Sequence, residues 1–372
     1  MAFLVALLGA VLLVGCSTSG GSEEPQLTST AVKEEVQKLN QTLEQINQEV
    51  LSDPAISKLL EIVGLPVGDA YASSFLEPKA LLRLSAWDFR PLVTVESEVY
   101  ELPRGGYRYN PDGTSEPIGA PPEPWDLEYV WFEGEDQLDL LVDWDAGKDT
   151  IYARIDYENL QVELPQQAKG ELKVNGDTAG QGEFNAMWYA CGDEYIDEAK
   201  QVDAWAEVGK TSKVRLEAAY DLSQGEKGVE QHAVNLALSA EGKEAQASLR
   251  LGLVTTGVAT RENCSLVDFK EDRVKFDLAF EAQDGGERKG LAINAEFWNF
   301  KEDSYGGLDS VEVQGTFKVN GKVAAVFAGV LDDLDGPSCP GAHVNLRFAD
   351  GTKTLREWLI EEGLCTEESM AY

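Results

Sequence analysis

Val214-Arg215-Leu216-Glu217-Ala218-Ala219-Tyr220-Asp221 decides the fold of this chain. Apolar and mostly polar residues alternate along it, and an aromatic followed by an acid closes it. A period of two puts one set of side chains on each face of a strand. Two other segments read the same way: Leu138-Asp139-Leu140-Leu141-Val142-Asp143-Trp144-Asp145 and Val274-Lys275-Phe276-Asp277-Leu278-Ala279-Phe280-Glu281. Each is followed by another alternating run, at Ile151–Tyr157, Val234–Leu238 and Leu291–Phe297.

Glycine turn signals join these runs: Asn175-Gly176, Glu241-Gly242, Asp284-Gly285-Gly286 and Asn320-Gly321. Lys173-Val174-Asn175-Gly176 and Lys318-Val319-Asn320-Gly321 are identical tetrads. Cys191, Cys264 and Cys339 close three successive units, 73 and 75 residues apart. The pattern predicts repeated units near 136–191, 212–264 and 272–339. No long helical pattern interrupts the strands after residue 82, so crossover helices are absent and the sheet is expected to be antiparallel, mostly meander. The predicted fold is mainly β: a large antiparallel domain over 82–349, as a curved sheet, sandwich or barrel. A Pro- and Gly-rich loop is expected over 103–124.

Helices are expected at both ends. Val32, Val36, Leu39, Leu43, Ile46 and Val50 recur at alternating spacings of four and three. This a/d stripe predicts an amphipathic helix lying on the main domain or standing as a short stalk, with a coiled-coil dimer as the alternative. Asp53-Pro54 restarts a second helix that Gly64 stops, giving a helical segment over 32–66. Thr354-Leu355-Arg356-Glu357 fits a capping box that opens a C-terminal helix in the segment 350–372.

The first residues point to a location. The apolar run Ala2–Val14 is too short for a spanning helix but has the length of a signal-peptide core. Leu13-Val14-Gly15-Cys16 closes it, and this tetrad resembles the lipobox of bacterial lipoproteins. The resemblance implies a signal peptide over 1–15, lipidation of Cys16 and a flexible tether over 16–31. It implies export and a lipid anchor in a membrane of the bacterial envelope, facing periplasm or cell surface.

Composition agrees with export. The formal charge is −35 and the hydrophobic fraction 43%, which argues against nucleic acid as a partner and against disorder. Four cysteines follow Cys16. An even number in an oxidising compartment predicts two disulfides, and the unit spacing pairs Cys191 with Cys264 and Cys339 with Cys365.

Signals for chemistry are sparse. His232 shares parity with Val234, Leu236 and Leu238 and is expected inside; His343 is expected to face water. No G-x-S-x-G elbow or H-E-x-x-H occurs. Asp145, Asp221 and Glu281 recur at one position of the units, which suits a structural acid better than a catalytic one. Asp332, Asp333 and Asp335, and the loop Asp145–Asp149, do not match a calcium spacing. No metal or other cofactor is therefore expected, and no catalytic residue. Trp125, Tyr129 and Trp131, near Phe132 and Trp144, form an aromatic strip able to stack on sugar rings or on a partner protein. The expected function is non-enzymatic: a membrane-anchored envelope protein with a structural or binding role, its partner an envelope protein or a glycan. A carrier of lipid or another apolar ligand in a β cavity is the alternative, and a carboxylate-dependent glycan-active enzyme the third reading.

Overall fold

The computed structural model describes residues 24–57 and most of 99–361, leaving out 101, 103, 110–114, 145–150, 156–159, 193, 244, 263, 285, 303–307 and 333–340 within the latter span. All nineteen described strands belong to one sheet. In chain order they are β1 (Val99–Tyr100), β2 (Gly105–Tyr109), β3 (Ser115–Gly119), β4 (Leu127–Glu133), β5 (Asp136–Trp144), β6 (Ile151–Ile155), β7 (Leu160–Leu164), β8 (Gln167–Val174), β9 (Asp177–Cys191) and β10 (Glu194–Val208). Then come β11 (Lys213–Gln224), β12 (Val229–Glu241), β13 (Ala245–Glu262), β14 (Ser265–Asp284), β15 (Glu287–Glu302), β16 (Leu308–Val319), β17 (Lys322–Leu331), β18 (His343–Phe348) and β19 (Gly351–Thr354).

From β8 to β19 every strand pairs antiparallel with the next, an unbroken meander. On the other side the order continues β5, β4, β2, β3. The two ends do not pair with each other among the described residues. The antiparallel expectation holds with three exceptions: β2–β4, β1–β7 and β6–β10 are short parallel contacts. The strands β6, β7 and β1 form a branch that joins the start of β10. The expected loop over 103–124 contains the β2/β3 hairpin. Pro117 is tolerated there because β3 is an edge strand, paired with β2 alone among the described strands.

The turns after β8, β10, β12, β14 and β16 lie on one rim of the sheet, here the lower rim. Cys191 and Cys264 lie on the upper rim. The segments at 138–144 and 214–220 run from lower to upper rim and the segment at 274–280 runs the other way, so the element that recurs is the two-stranded hairpin.

Helix α1 (Ser29–Leu51) opens with a cap in which the Thr28 hydroxyl accepts from Ala31 N–H. It crosses the strands on one face, along the lower rim. Ser29 donates to Asp350 at the β18/β19 turn, Asn320 at the β16/β17 turn donates to Glu35, and Lys289 at the start of β15 donates to Thr42. Glu49 lies against Gly242 of the β12/β13 turn, and Ile56 against Gly209 of the β10/β11 turn. From Glu35 to Ile56 these contacts recur every seven residues. Seven helical residues rise about 10.5 Å, and two strands span about 9.6 Å. The heptad is therefore matched by the hairpins, and the helix lies on the domain.

Under α1 the sheet buries Phe276, Leu278, Ile293, Phe297, Val313 and Phe317 together with Val32. A second cluster holds Leu39, Ile46, Val50, Phe280 and Ala282. Helix α2 (Leu355–Glu361) closes the far end with buried Leu355, Trp358 and Leu359. Its capping box forms as read: Thr354 N–H donates to Glu357 at 2.7 Å and Glu357 N–H to the Thr354 hydroxyl at 3.1 Å.

Past the end of α1, Asp53 is fully buried. One carboxylate oxygen accepts from the N–H groups of Ala55 and Ile56, capping the helical residues 54–57. The other accepts from the N–H groups of Lys210, Thr211 and Ser212 and from the Thr211 hydroxyl. Burial opposes its charge, but the donors of Ser212, Thr211 and Ile56 outweigh burial and hold the carboxyl well below the usual carboxylate range.

Candidate functional site: a trough across the strands

The expected Cys191–Cys264 disulfide is present, with Cα atoms 5.8 Å apart. In a flat sheet, β9 and β13 would stand roughly 19 Å apart. Register shifts in the upper parts of β9/β10 and β13/β14 bend both hairpins over the shorter β11/β12 hairpin. Beneath the bridge lies a polar cage. Arg261 donates to both oxygens of Glu198, both oxygens of Glu230 and the carbonyl of Cys264. That uses all five guanidinium donors, and the ring of Tyr189 lies 4.5 Å from the guanidinium carbon. His232 is partly buried; Nδ1 lies 2.8 Å from the Tyr220 hydroxyl and the ring edge meets Phe269. Burial works against the Glu230 carboxylate, but Arg261 and Gln224 outweigh it and lower its pKa. The Arg261 donors are saturated within the cage, while His232 Nε2 is buried without a hydrogen-bond partner; the cage clamps the upper rim.

The aromatic strip is partly assembled. Tyr129 and Trp131 share a face of β4, and Tyr129 packs on Tyr107 with ring centres 5.7 Å apart. Burial, then the neighbouring Tyr107, pushes the Tyr129 hydroxyl up to about 12. Trp125 is half-buried in the preceding turn, and Phe132 is exposed on the opposite face. Asp221 and Glu281 lie toward opposite rims, and Glu281 pairs with Arg288. His343 is exposed beside Asp332, 2.7 Å away. Cys16, Cys339, Cys365, Asp145, Asp149, Asp333 and Asp335 lie outside the described residues. Among the described residues no cluster of His, Cys, Asp and Glu has the geometry of a metal site, and no helix is long and apolar enough to cross a membrane.

A recess lined by polar and apolar groups lies elsewhere, on the face turned away from α1. It is a shallow trough of about 580 Å³, lined by residues from seven consecutive strands, β9 to β15. Pairing registers put its floor in one transverse row: Asn185, Asp203, Ala219, Asn235, Gly252, Asp277 and Asn294, one per strand. At about 4.8 Å per strand the row is about 29 Å long. No side chain in it is longer than Asn, and this is what makes a trough. The neighbouring row carries longer groups, among them Trp205, Glu217 and Arg250.

Local contacts order the walls. The Arg215 guanidinium carbon stands 4.3 Å from the centre of the Trp205 ring, and its Nε donates to Glu217 at 2.7 Å. Gln201 donates to Asp203 and Asn294 to Asp277. Arg250 is exposed and has no ion-pair or hydrogen-bond partner among the described residues. A Cβ built on Gly252 would stand 3.3 Å from Asn235 Oδ1 and 3.6 Å from Asp277 Cβ. Small size there keeps the floor low; the backbone does not demand glycine.

Sequence reading missed this row. Its signal was present as short Asn, Asp, Gly and Ala residues in the polar phase of successive strands, but only the registers align them. Comparison with protein-family models, with curated proteins and with solved structures finds no match for this chain.

Proposed function

We propose that this chain is an envelope lipoprotein, anchored through Cys16, that binds an extended polar ligand in the transverse trough without catalysing a reaction on it. The observation that carries the reading is the floor row: seven strands each present one short side chain at the same level, mostly Asn or Asp. The three trough carboxylates, Asp203, Glu217 and Asp277, are exposed. A catalytic pair needs two carboxyls within reach of one bond, and Asp203 and Asp277 stand four strands, roughly 19 Å, apart, while Glu217 is held by Arg215. Anchoring fits the placement of α1. Glu24 follows Cys16 by eight steps along the chain, which reach at most about 28 Å. Gln26 then pairs with Val323 and Leu27 with Ala349. A lipid on Cys16 would hold the β17–β19 end of the lower rim close to the membrane.

The test is capture from envelope extract by the full chain and by Gly252→Val, which raises the floor without a backbone clash. The expected result is a ligand retained by the parent and lost from the variant, with circular dichroism unchanged. Equal capture by both sinks the trough reading. Cys16→Ser should release the protein from membranes, and unchanged partition would remove the anchor.

A second reading, carriage of an apolar ligand, is favoured by one observation. The other face of the sheet, over β5 and β8–β11, holds an open recess of about 600 Å³ whose lining includes Val142, Gly170, Phe184, Ala206, Leu216 and Ala218. Displacement of a fluorescent fatty acid, abolished by Gly170→Val, would support it over the trough.

A further inference from the structure

We infer that the ligand of the trough is a neutral, extended glycan strand lying across the β-strands. This rests on the trough reading above and specifies its ligand.

Direction comes first. The floor row crosses β9–β15, so a ligand filling it runs perpendicular to the strands. Its charged or amide anchors Asp203, Asn235 and Asp277 sit on β10, β12 and β14, with Ala219 and Gly252 between them. Anchors recur about every 9.6 Å. A compact ligand would meet one anchor; a linear polymer meets all three.

The chemistry of the anchors suits hydroxyl groups. A carboxylate accepts O–H donors in short, strong bonds. An Asn side chain both donates and accepts, as a hydroxyl does. The unpartnered guanidinium of Arg250 offers donors to ring or linkage oxygens. Trp205 adds an aromatic wall beside Asp203.

Other polymers fit less well. The β10–β14 backbone is paired on both sides along this row, so a peptide cannot add as a strand there. The floor offers no apolar socket for the anchor side chains that peptides use. An anionic polymer would face Asp203, Glu217 and Asp277 on a chain of charge −35. Asp203 and Asp277 stand four strands apart, roughly 19 Å, too far to share a cation.

The test is isothermal titration of the full chain, purified in detergent, with neutral β-linked glucose and N-acetylglucosamine oligomers of increasing length. Uronic-acid oligomers and unstructured peptides run alongside. Affinity is expected to rise with length for neutral oligomers. It should fall about tenfold or more in Asp203→Ala and in Asp277→Ala, as for a lost hydrogen bond to a charged group, and vanish in Gly252→Val with the melting temperature unchanged. Neutral-oligomer binding that survives Gly252→Val overturns the placement. No neutral-oligomer binding, with envelope capture still lost in Gly252→Val, overturns the glycan class and leaves the trough as a site for something else, a peptide if the peptides bind. Preference for uronic-acid oligomers overturns neutrality.

Discussion

The face of the sheet that carries α1 has two halves, and they are held together differently. Over β13–β18 it presents Phe276, Ile293, Phe297, Val313 and Phe317, all buried under the helices. Over β8–β12 the same parity presents Gly170, Gly182, Ala204, Ala206, Ala218, Leu216 and Leu236. The last two are 42% and 39% exposed. Both halves alternate apolar and polar equally well. Alternation thus tells which side a residue is on, and side-chain size tells whether that side is packed. The covered half rests on apolar burial. The open half rests on its ladders, on the Cys191–Cys264 bridge and on the Arg261 cage beneath it.

Truncation tests that contrast most directly. Phe276 is 1% exposed, so Phe276→Ala should cost about 3–5 kcal/mol, the transfer loss plus a cavity. Leu216→Ala, in the open half, should cost less than about 1 kcal/mol, since little surface leaves water there. Urea unfolding of both variants gives the numbers. Similar losses would mean that the open half is packed as tightly as the covered one.

Removing the bridge should reverse the asymmetry. Cys191 and Cys264 are 73 residues apart, and closing a loop of that size stabilises by about 4 kcal/mol if chain entropy dominates. In the Cys191→Ser/Cys264→Ser double variant, amide hydrogen exchange should quicken across β10–β12 while β14–β18 stay protected. Uniform quickening across all strands would show one cooperative unit and erase the distinction between the halves.

Much of this architecture was legible because it is local. The alternation at 214–221 and 274–281, the Asn-Gly turns and the Thr354–Glu357 box each act within a few residues. The Cys191–Cys264 pair was legible through spacing alone. What escaped reading depends on register and on bends. The branch β6–β7–β1 rests on two short parallel contacts, β1–β7 within it and β6–β10 to the meander, that no periodicity announces. Arg261 meets Glu198 and Glu230 across strands only because the upper rim folds over. The a/d stripe of α1 identified a helix but not its substrate, since a heptad fits a second helix and a row of hairpins almost equally. The trough row is the extreme case: its residues lie as much as 109 positions apart, from Asn185 to Asn294, and a one-residue slip in any ladder would scatter them.

Asp53 sits within the open half, at its lower rim, where α1 has ended and the β10/β11 turn is pinned. Asp53→Asn keeps the volume but puts an amide N–H₂ among N–H donors that need an acceptor. The expected cost at neutral pH is about 3 kcal/mol, the upper end for hydrogen bonds to a charged group. The pH dependence follows from the depressed folded pKa. A carboxyl whose pKa is lower folded than unfolded contributes its full stability above the unfolded value, about 3.9. That contribution is lost as pH falls through the folded value, because the unfolded chain takes up the proton first. The stability gap between parent and Asp53→Asn should therefore stay constant from about pH 5 to 8 and narrow steadily below about pH 4. Taking the difference between the two proteins cancels the titration of the many other acids. A gap that stays flat down to pH 2 would mean that Asp53 carries no special charge stabilisation, and that the β10/β11 turn of the open half is held by the packing of Ile56 alone.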